Sequence, residues 1–567
     1  MSTEREATTL SRRALLRLLG LGGAGLLAAC ASQGPAGGAA TTTTGGAAAT
    51  TAPGAAAAGS PPAAGPKKKG GTLAVGVDQE PPTMDPHASP SAITYYITAS
   101  TGESLLYLTA DRQLKPWLAA SYEVAPDGKA VTFKLNKGIT FQDGTPFNAQ
   151  AVKWNFDRIV DPNFKAGGAL AALGPYAGTD VVDDATVKVN FKQPFAPFLI
   201  NAAGGTLAMI SPEGTKKQGD AVNDTPIMSG PYKITEWVKK SHITIQRWDG
   251  YNRRLPWADH DGPGYLDSVT WKVIPEAGTR VTTVESGETQ LATVIPAQDL
   301  PRLESSKDFT IARPAWVGTP RIWLLTVDKP PTDDLKVRQA INYACNKDAI
   351  VDTIYKGLGT KAVAPLTRIM LDDPAFDGAY PFDQTKARQL LDQAGWTVGA
   401  GGIREKGGQK LSLVLNAIDY GGGPEPLVPL LQGQLRDVGI DMQIKAQARP
   451  PWYEDNYKCA TNGPVMFLRS GDYDGLFSLF HSSNVGGNFN WSCLKDPAMD
   501  KLLEQGRQEM DPAKRKQIYV TIEKQLLDMA VTLPMVDELS VWAARAANRG
   551  LTFNGFTYPI ITEIAAG

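Results

Sequence analysis

The segment 135–147, LNKGITFQDGTPF, joins a strand pattern to a turn pattern. It begins at the end of Ala130–Leu135 (AVTFKL), where apolar and polar side chains alternate as in a strand buried on one face. Residues 143–146 (DGTP) have the composition of a tight turn, because glycine tolerates unusual backbone angles and proline fixes the exit. We therefore predict a strand and a turn, and we interpret the turn as structural.

Strand and helix patterns alternate on either side of this stretch. Further strand patterns lie at Thr72–Val77 and Thr186–Phe191. A helix is predicted behind a capping aspartate, Asp333 or Asp334. Its apolar residues recur at three- and four-residue spacing, at Val337, Ala340, Ile341 and Ala344.

A β-α-β unit is predicted between residues 411 and 444. It consists of a strand at 411–415, a leucine-rich helix that stops at Gly439, and a strand at 440–444. Asp511 and Pro512 open the last long helix, because aspartate caps a helix and proline suits its first turn. The patterns predict an α/β protein, and about 500 residues of such sequence predict more than one lobe.

The first thirty residues have the pattern of an export signal. Residues 11–17 (SRRALLR) contain a twin-arginine pair, and the apolar run that follows is shorter than the roughly 20 residues needed to span a bilayer. Leu27-Ala28-Ala29-Cys30 then resembles a lipoprotein cleavage box. We predict a signal peptide at 1–29 and acylation of Cys30. Twin-arginine and general secretory export both remain open, and a buried N-terminal helix is the structural alternative.

Residues 30–69 are predicted to form a tether. Between residues 31 and 66 the sequence is nearly all Ala, Gly, Thr, Ser and Pro, which offers no large apolar side chain to bury. A flexible tether would let the folded part swing free of the membrane, whereas the alternative is an unselected or cleavable tail. The three lysines at 67–69 could touch anionic headgroups or simply be solvated.

Charge and motif content argue against several function classes. The chain has 57 basic and 58 acidic residues, which gives no reason to expect a nucleic-acid partner. The sequence contains no Gly-x-Ser-x-Gly elbow and no Walker A loop. No metal-ligand spacing is found among its four histidines, His87, His242, His260 and His481. The sequence therefore predicts no catalytic residues, no metal and no cofactor, which leaves a hydrolase or an ATPase without support.

Six blocks in order resemble the family 5 extracellular solute-binding proteins, the dipeptide and oligopeptide receptors of ABC importers. The first is residues 135–147, continuing through Val152, Trp154 and Phe156. The others are 229–237 (SGPYKITEW), 265–267 (YLD) with 284–288 (VESGE), 337–344 (VRQAINYA), 386–395 (KARQLLDQAG) and 434–440 (QLRDVGI). The resemblance covers nearly all of the chain after the tether.

The resemblance implies a two-lobed periplasmic-binding-protein-like fold of the large class, with a hinge of crossover strands and the solute enclosed between the lobes. The first lobe would comprise 70–327 and 530–567, with an inserted subdomain at about 111–224. The second would comprise 328–529. The implied partners are a solute, ABC permease subunits and their ATPase, and the membrane through the lipid anchor. We expect a monomer on the outer face of the cytoplasmic membrane.

The resemblance also implies where a peptide would be held. In peptide-binding members a carboxylate in a segment like GDY pairs with the ligand's ammonium, and this chain has Gly471-Asp472-Tyr473-Asp474 there. An ammonium buried between lobes needs such a counter-ion. Asp472 is the predicted anchor and Asp474 its competitor. The Asp-Pro that usually follows is replaced here by Asp474-Gly475, so the loop is shorter.

Other side chains are candidates for the remainder of the site. Arg449 and Arg469 could pair with a ligand carboxylate, whereas Arg338, inside a packed helix motif, is interpreted as structural. Aromatic walls are predicted from Tyr95, Trp452, Tyr453 and Trp491, with ordinary core packing as the alternative.

Three cysteines remain once Cys30 is acylated, so at least one is free or pairs with another molecule. Cys459 and Cys493 flank the predicted ligand segment, and a disulfide between them is a hypothesis. Cys345 is predicted to be a small buried side chain.

The leading functional prediction is a receptor that delivers a short peptide to an ABC importer. The same fold also binds oligosaccharides, metal chelates and other solutes, which is the first alternative. The second alternative is a signalling or chaperone-like surface lipoprotein that works without an importer.

Overall fold

The computed structural model describes residues 67–89, 91–258, 260–315, 317–419 and 423–566. The predicted signal peptide, the acylation site Cys30 and most of the predicted tether lie outside the described residues. Among the described residues, no helix combines the length and the apolar composition needed to cross a bilayer.

The described chain contains α-helices and β-strands in alternation. The strands are β1 Thr72–Val77, β2 Leu106–Leu108, β3 Leu114–Pro116, β4 Ala119–Val124, β5 Ala130–Leu135, β6 Tyr176–Asp183, β7 Thr186–Phe191, β8 Tyr232–Val238, β9 His242–Arg247, β10 Ser268–Val273, β11 Leu291–Thr293, β12 Phe309–Ala312, β13 Arg321–Leu324, β14 Thr360–Lys361, β15 Thr397–Val398, β16 Arg404–Lys406, β17 Gln409–Lys410, β18 Ser412–Ile418, β19 Asp441–Gln447, β20 Val465–Met466, β21 Thr532–Asp537 and β22 Trp542–Arg545. The helices are α1 Ala92–Thr98, α2 Ala149–Ile159, α3 Ala169–Leu173, α4 Phe198–Asn201, α5 Pro212–Gln218, α6 Ala277–Ser286, α7 Leu300–Ser305, α8 Leu335–Ala344, α9 Lys347–Thr353, α10 Gln384–Gln393, α11 Leu427–Arg436, α12 Arg449–Tyr457, α13 Gly475–Phe480, α14 Pro497–Gln508 and α15 Pro512–Asp528.

The first lobe is built on a seven-stranded sheet in the order β12-β22-β11-β1-β10-β9-β8. Strand β1 is central and runs parallel to β10 and β11. Its apolar residues Leu73, Val75 and Val77 are buried, together with Trp271 and Trp542 from neighbouring strands. The strand predicted at Thr72–Val77 is therefore confirmed, and it forms the centre of the lobe.

An antiparallel sheet, β4-β5-β7-β6, forms a subdomain of the first lobe. The segment 135–147 leaves strand β5 and enters the predicted turn, where Gly144 has a φ of 83° and the Asp143 side chain accepts a hydrogen bond from the Thr145 amide. Phe141 and Phe147 on either side are buried in the subdomain core. The structural interpretation of this turn is confirmed.

The second lobe contains the sheet β14-β21-β13-β20 and the parallel pair β18-β19. Helix α11 lies between β18 and β19 in the chain, so the predicted β-α-β unit is confirmed. Asp334 caps α8 and Asp511 caps α15, in both cases by accepting backbone amide hydrogen bonds. The two sheet systems with helices packed on them confirm the predicted α/β class.

The lobe boundaries differ from the predicted ones by several residues. Strand β13 falls in the predicted first-lobe range, yet it pairs with β20 of the second lobe. Strand β21 falls in the predicted C-terminal return, yet it pairs with β13 and β14. The chain therefore crosses between the lobes in two crossover segments, one before β13 and one directly after β21, and these pair with each other at Ala315 and Leu539. The difference arises because sequence periodicity predicts where a strand lies but not which sheet the strand joins.

Candidate functional site

One edge of the second-lobe sheet faces the crossover segments. Strand β13 runs antiparallel to both β20 and β21, so its first residue lies beside the last residues of these two strands. Arg321, Phe467 and Glu538 therefore meet at the edge from which the chain crosses to the first lobe. Ligand sites occur preferentially between domains, and this edge lies where the two lobes are joined, which makes it the candidate site.

Arg469 is held at this edge by the first crossover segment. Its backbone pairs with Gly318, where the chains approach so closely that a Cβ on Gly318 would lie 2.1 Å from the Leu468 carbonyl oxygen. The Arg469 guanidinium donates a hydrogen bond to the Tyr96 hydroxyl of the first lobe at 2.5 Å. The structure thus places this predicted arginine between the two lobes.

Arg321 organises a second charged group that sequence reasoning missed. Its Nε donates to Glu538 Oε1 at 2.8 Å, and the Tyr355 hydroxyl donates to the same oxygen at 2.7 Å. Its Nη1 lies 3.7 Å from Glu425 Oε2, and its guanidinium lies 4.5 Å from the centre of the Phe467 ring. The cluster thus combines two carboxylates with one guanidinium.

The Glu425 carboxyl shares its counter-ion, Arg321, with Glu538, which lies closer to the guanidinium. Burial raises the Glu425 pKa, and the nearby Glu538 adds to the effect, although Arg321 opposes both. The Glu425 side chain is 22% exposed, so part of it remains accessible. A cation brought next to Glu425 would relieve the excess negative charge.

Asp472, the predicted ammonium anchor, is engaged inside the second lobe. Its two carboxylate oxygens accept from Arg515 Nη1 and Nη2 at 2.7 and 2.5 Å, and Oδ1 also accepts the Asp474 amide at 2.8 Å. Burial alone would raise the Asp472 pKa, but Arg515 holds it below the ordinary value. This geometry argues against Asp472 as the counter-ion of a ligand ammonium, because a bidentate arginine already neutralises it.

The neighbours of Asp472 are also occupied within the protein. Asp474 Oδ1 lies 2.9 Å from Arg507 Nε, and burial raises the pKa of Asp474 to about 7. The Tyr473 ring lies 5.1 Å from the ring of Tyr519. The side chains of residues 472–474 thus all contact other side chains of the second lobe.

Most of the predicted aromatic walls lie in the lobe cores. Trp452 and Trp491 are 4% and 1% exposed and pack edge to face, with the half-buried Tyr453 beside them. The Tyr95 hydroxyl donates to the Ser89 carbonyl oxygen at 2.7 Å inside the first lobe. Core packing, the alternative considered for these residues, describes Tyr95, Trp452 and Trp491, and Tyr453 packs on the same core while remaining half-buried. It is Tyr96, the residue after Tyr95, that contacts the second lobe.

The other two arginines differ in environment. Arg338 is buried and donates to the carbonyl oxygens of Thr332, Asp333 and Met529, which confirms its structural interpretation. Arg449 is exposed at the start of α12. Of the three arginines considered, Arg469 is the one whose side chain is shown in contact with the other lobe, through Tyr96.

The predictions for Cys345, Cys459 and Cys493 are confirmed. Cys459 and Cys493 form a disulfide with a Cα–Cα distance of 6.3 Å. Cys345 is free and buried, and burial raises the pKa of its thiol to about 12. The disulfide fixes α12 against the loop that precedes α14, behind the aromatic cluster.

Residues 113–487 match the family described as bacterial extracellular solute-binding proteins, family 5 Middle. The glutathione-binding protein GsiB of Escherichia coli K12 is 31% identical over 488 residues, which cover 83% of this chain and 90% of that protein.

Two solved structures share the fold. NikA from Brucella suis in complex with Fe(III)-EDTA is 27% identical with a TM-score of 0.76, and the match covers 88% of this chain and 100% of NikA. DppA from Helicobacter pylori in complex with the peptide STSA is 23% identical with a TM-score of 0.73, and the match covers 88% of this chain and 98% of DppA.

Proposed function

The chain belongs to family 5 of the bacterial extracellular solute-binding proteins, and from this membership we propose that it captures a short peptide between its lobes and delivers it to an ABC importer. Members of this family are solute-binding proteins rather than enzymes, and this chain is one of them. Relatives whose names or titles include glutathione and the peptide STSA support a peptide as the solute.

The peptide proposal rests on a pair of opposite charges at the hinge edge, the edge of the second-lobe sheet that faces the crossover segments. Arg469 offers a guanidinium between the lobes, and Glu425 offers a partly exposed carboxylate beside Arg321. Both belong to the edge that contains Phe467, so a zwitterion could span them. In this proposal Arg469 pairs with the peptide carboxylate and Glu425 receives its ammonium, in place of Asp472.

An anionic metal chelate is the second candidate. NikA, 27% identical to this chain, was solved with Fe(III)-EDTA, whose carboxylates are also suited to a guanidinium such as that of Arg469. A chelate has no ammonium for Glu425. Calorimetric titration with free dipeptides and tripeptides, with their amidated and acetylated forms, and with iron chelates separates the two candidates. Saturable heat only from chelates would overturn the peptide proposal.

We also propose that the chain is exported and held at the outer face of the cytoplasmic membrane by acylated Cys30. The lipoprotein box at 27–30 and the small-residue stretch that follows support this anchor. We expect Cys30→Ser to abolish incorporation of an acyl probe during metabolic labelling. Cys345→Ser, which removes a buried thiol elsewhere, should leave labelling intact. Persistent labelling of the Cys30 variant would contradict the anchor.

A further inference from the structure

Part of the second-lobe surface, centred on Gly471, is covered by two first-lobe segments. Arg112 Nη2 donates to the Gly471 carbonyl oxygen at 2.5 Å, and its Nη1 donates to the Gly555 carbonyl oxygen at 3.4 Å. The Phe556 ring packs directly on Gly471, where an added Cβ would lie 2.3 Å from the ring. A residue with any side chain at 471 would therefore push the lobes apart or displace the ring.

The neighbouring residue Arg507 is covered by the subdomain. Its carbonyl oxygen accepts a hydrogen bond from the Ala196 amide at 2.8 Å. Its guanidinium lies between two rings, 4.9 Å from the centre of Phe195 in the subdomain and 3.8 Å from the centre of Phe477 in the second lobe. This contact joins the lobes through main-chain and aromatic groups of the protein.

One buried and one half-buried ion pair support these acceptors from within the second lobe. Asp472 pairs with Arg515, and Asp474 pairs with Arg507 at 2.9 Å. Because Gly471 directly precedes this pair of aspartates, the ion pairs fix both the Gly471 carbonyl and the Arg507 side chain. We propose that Arg112, Phe195 and Ala196 dock on Gly471 and Arg507 as a latch that holds the lobes together before any solute is bound.

The latch has a consequence for affinity. Its hydrogen bonds join only protein atoms, so they favour the closed form whether or not the cleft is occupied. A protein that already populates the binding-competent form spends less of the solute's binding energy on closure. Loss of one charge-assisted hydrogen bond from Arg112 should lower the ratio of closed to open molecules about tenfold.

Small-angle scattering on protein stripped of solute tests the latch. The protein is unfolded in guanidinium with its disulfide intact, refolded, and compared with Arg112→Gln and Gly471→Ala. We expect the parent to be compact without solute, and both variants to have a larger radius of gyration. Arg436→Gln, which changes an exposed arginine of α11, is the matched control and should scatter like the parent.

The result that overturns the latch is a solute-free parent as expanded as the variants, or variants as compact as the parent. If Arg112→Gln does not refold, the latch is tested instead by hydrogen exchange of the Ala196 amide in the parent. Slow exchange of the Ala196 amide in solute-free protein supports the latch, since its acceptor is across the interface. Exchange at the rate of an open amide refutes it. The outcome is independent of whether the solute is a peptide or a chelate.

Discussion

Asp472→Asn is expected to lower the free energy of unfolding by roughly 3 to 5 kcal/mol, because it leaves the Arg515 guanidinium buried without its counter-ion. The effect should depend on pH. Since the pKa of Asp472 is held below its ordinary value, its stabilising contribution is present above about pH 4 and is lost as the pH falls. Urea unfolding of parent and variant from pH 7 down to pH 3 measures the difference in their free energies of unfolding. This difference should shrink as the pH falls.

Two further variants are compared with Asp472→Asn. Asp348→Asn removes an exposed pair with Lys361 and should cost less than about 1 kcal/mol. Adding Arg515→Gln to Asp472→Asn should recover part of the loss, since the uncompensated charge is removed. A variant that unfolds like the parent but selectively loses free-amine peptides, with N-acetylated peptides unaffected, would restore Asp472 as the ammonium anchor.

Arg469→Gln is expected to weaken binding of peptides with a free carboxylate by roughly 2 to 5 kcal/mol, because the enclosed carboxylate loses its charged partner. Peptides with an amidated C-terminus lack that charge. They should bind the parent poorly and respond little to the substitution. Calorimetry with both peptides and both proteins forms a double cycle that isolates the charge pairing from general damage.

Arg449→Gln is the matched control for Arg469, since it changes an exposed arginine on the same lobe. It should leave affinity and melting temperature near those of the parent. Equal losses for the free and amidated peptides on Arg469→Gln would mean that Arg469 only supports the Tyr96 contact between the lobes. The carboxylate anchor would then have to be sought elsewhere along the hinge edge.

Much of the fold could be predicted because its signals are local. The alternation in Ala130–Leu135 and the aspartates before α8 and α15 act within a few residues, and the structure places strands and helices there. The ordered blocks that begin at residues 135–147 predicted the family, and that prediction is confirmed. The lobe boundaries were less accurate, since pairing of β13 and β21 is decided by distant strands.

The candidate site was harder to predict, because its residues meet only through the tertiary fold. Asp472 and Arg515 are 43 residues apart in the chain, so a loop aspartate gave no sign of its partner. Arg321 and Glu538 are separated by 217 residues and meet at the end of two paired strands.

Mass spectrometry of the solute released from natively expressed protein is the direct test of whether the chain binds short peptides through Arg469. Purified protein is unfolded in acidified organic solvent, and the extract is compared with that of Arg469→Gln prepared in the same way. We expect short peptides with free termini in the parent extract and their depletion from the variant extract. Release of an oligosaccharide or a metal chelate instead, with peptides absent from both extracts, would contradict this expectation.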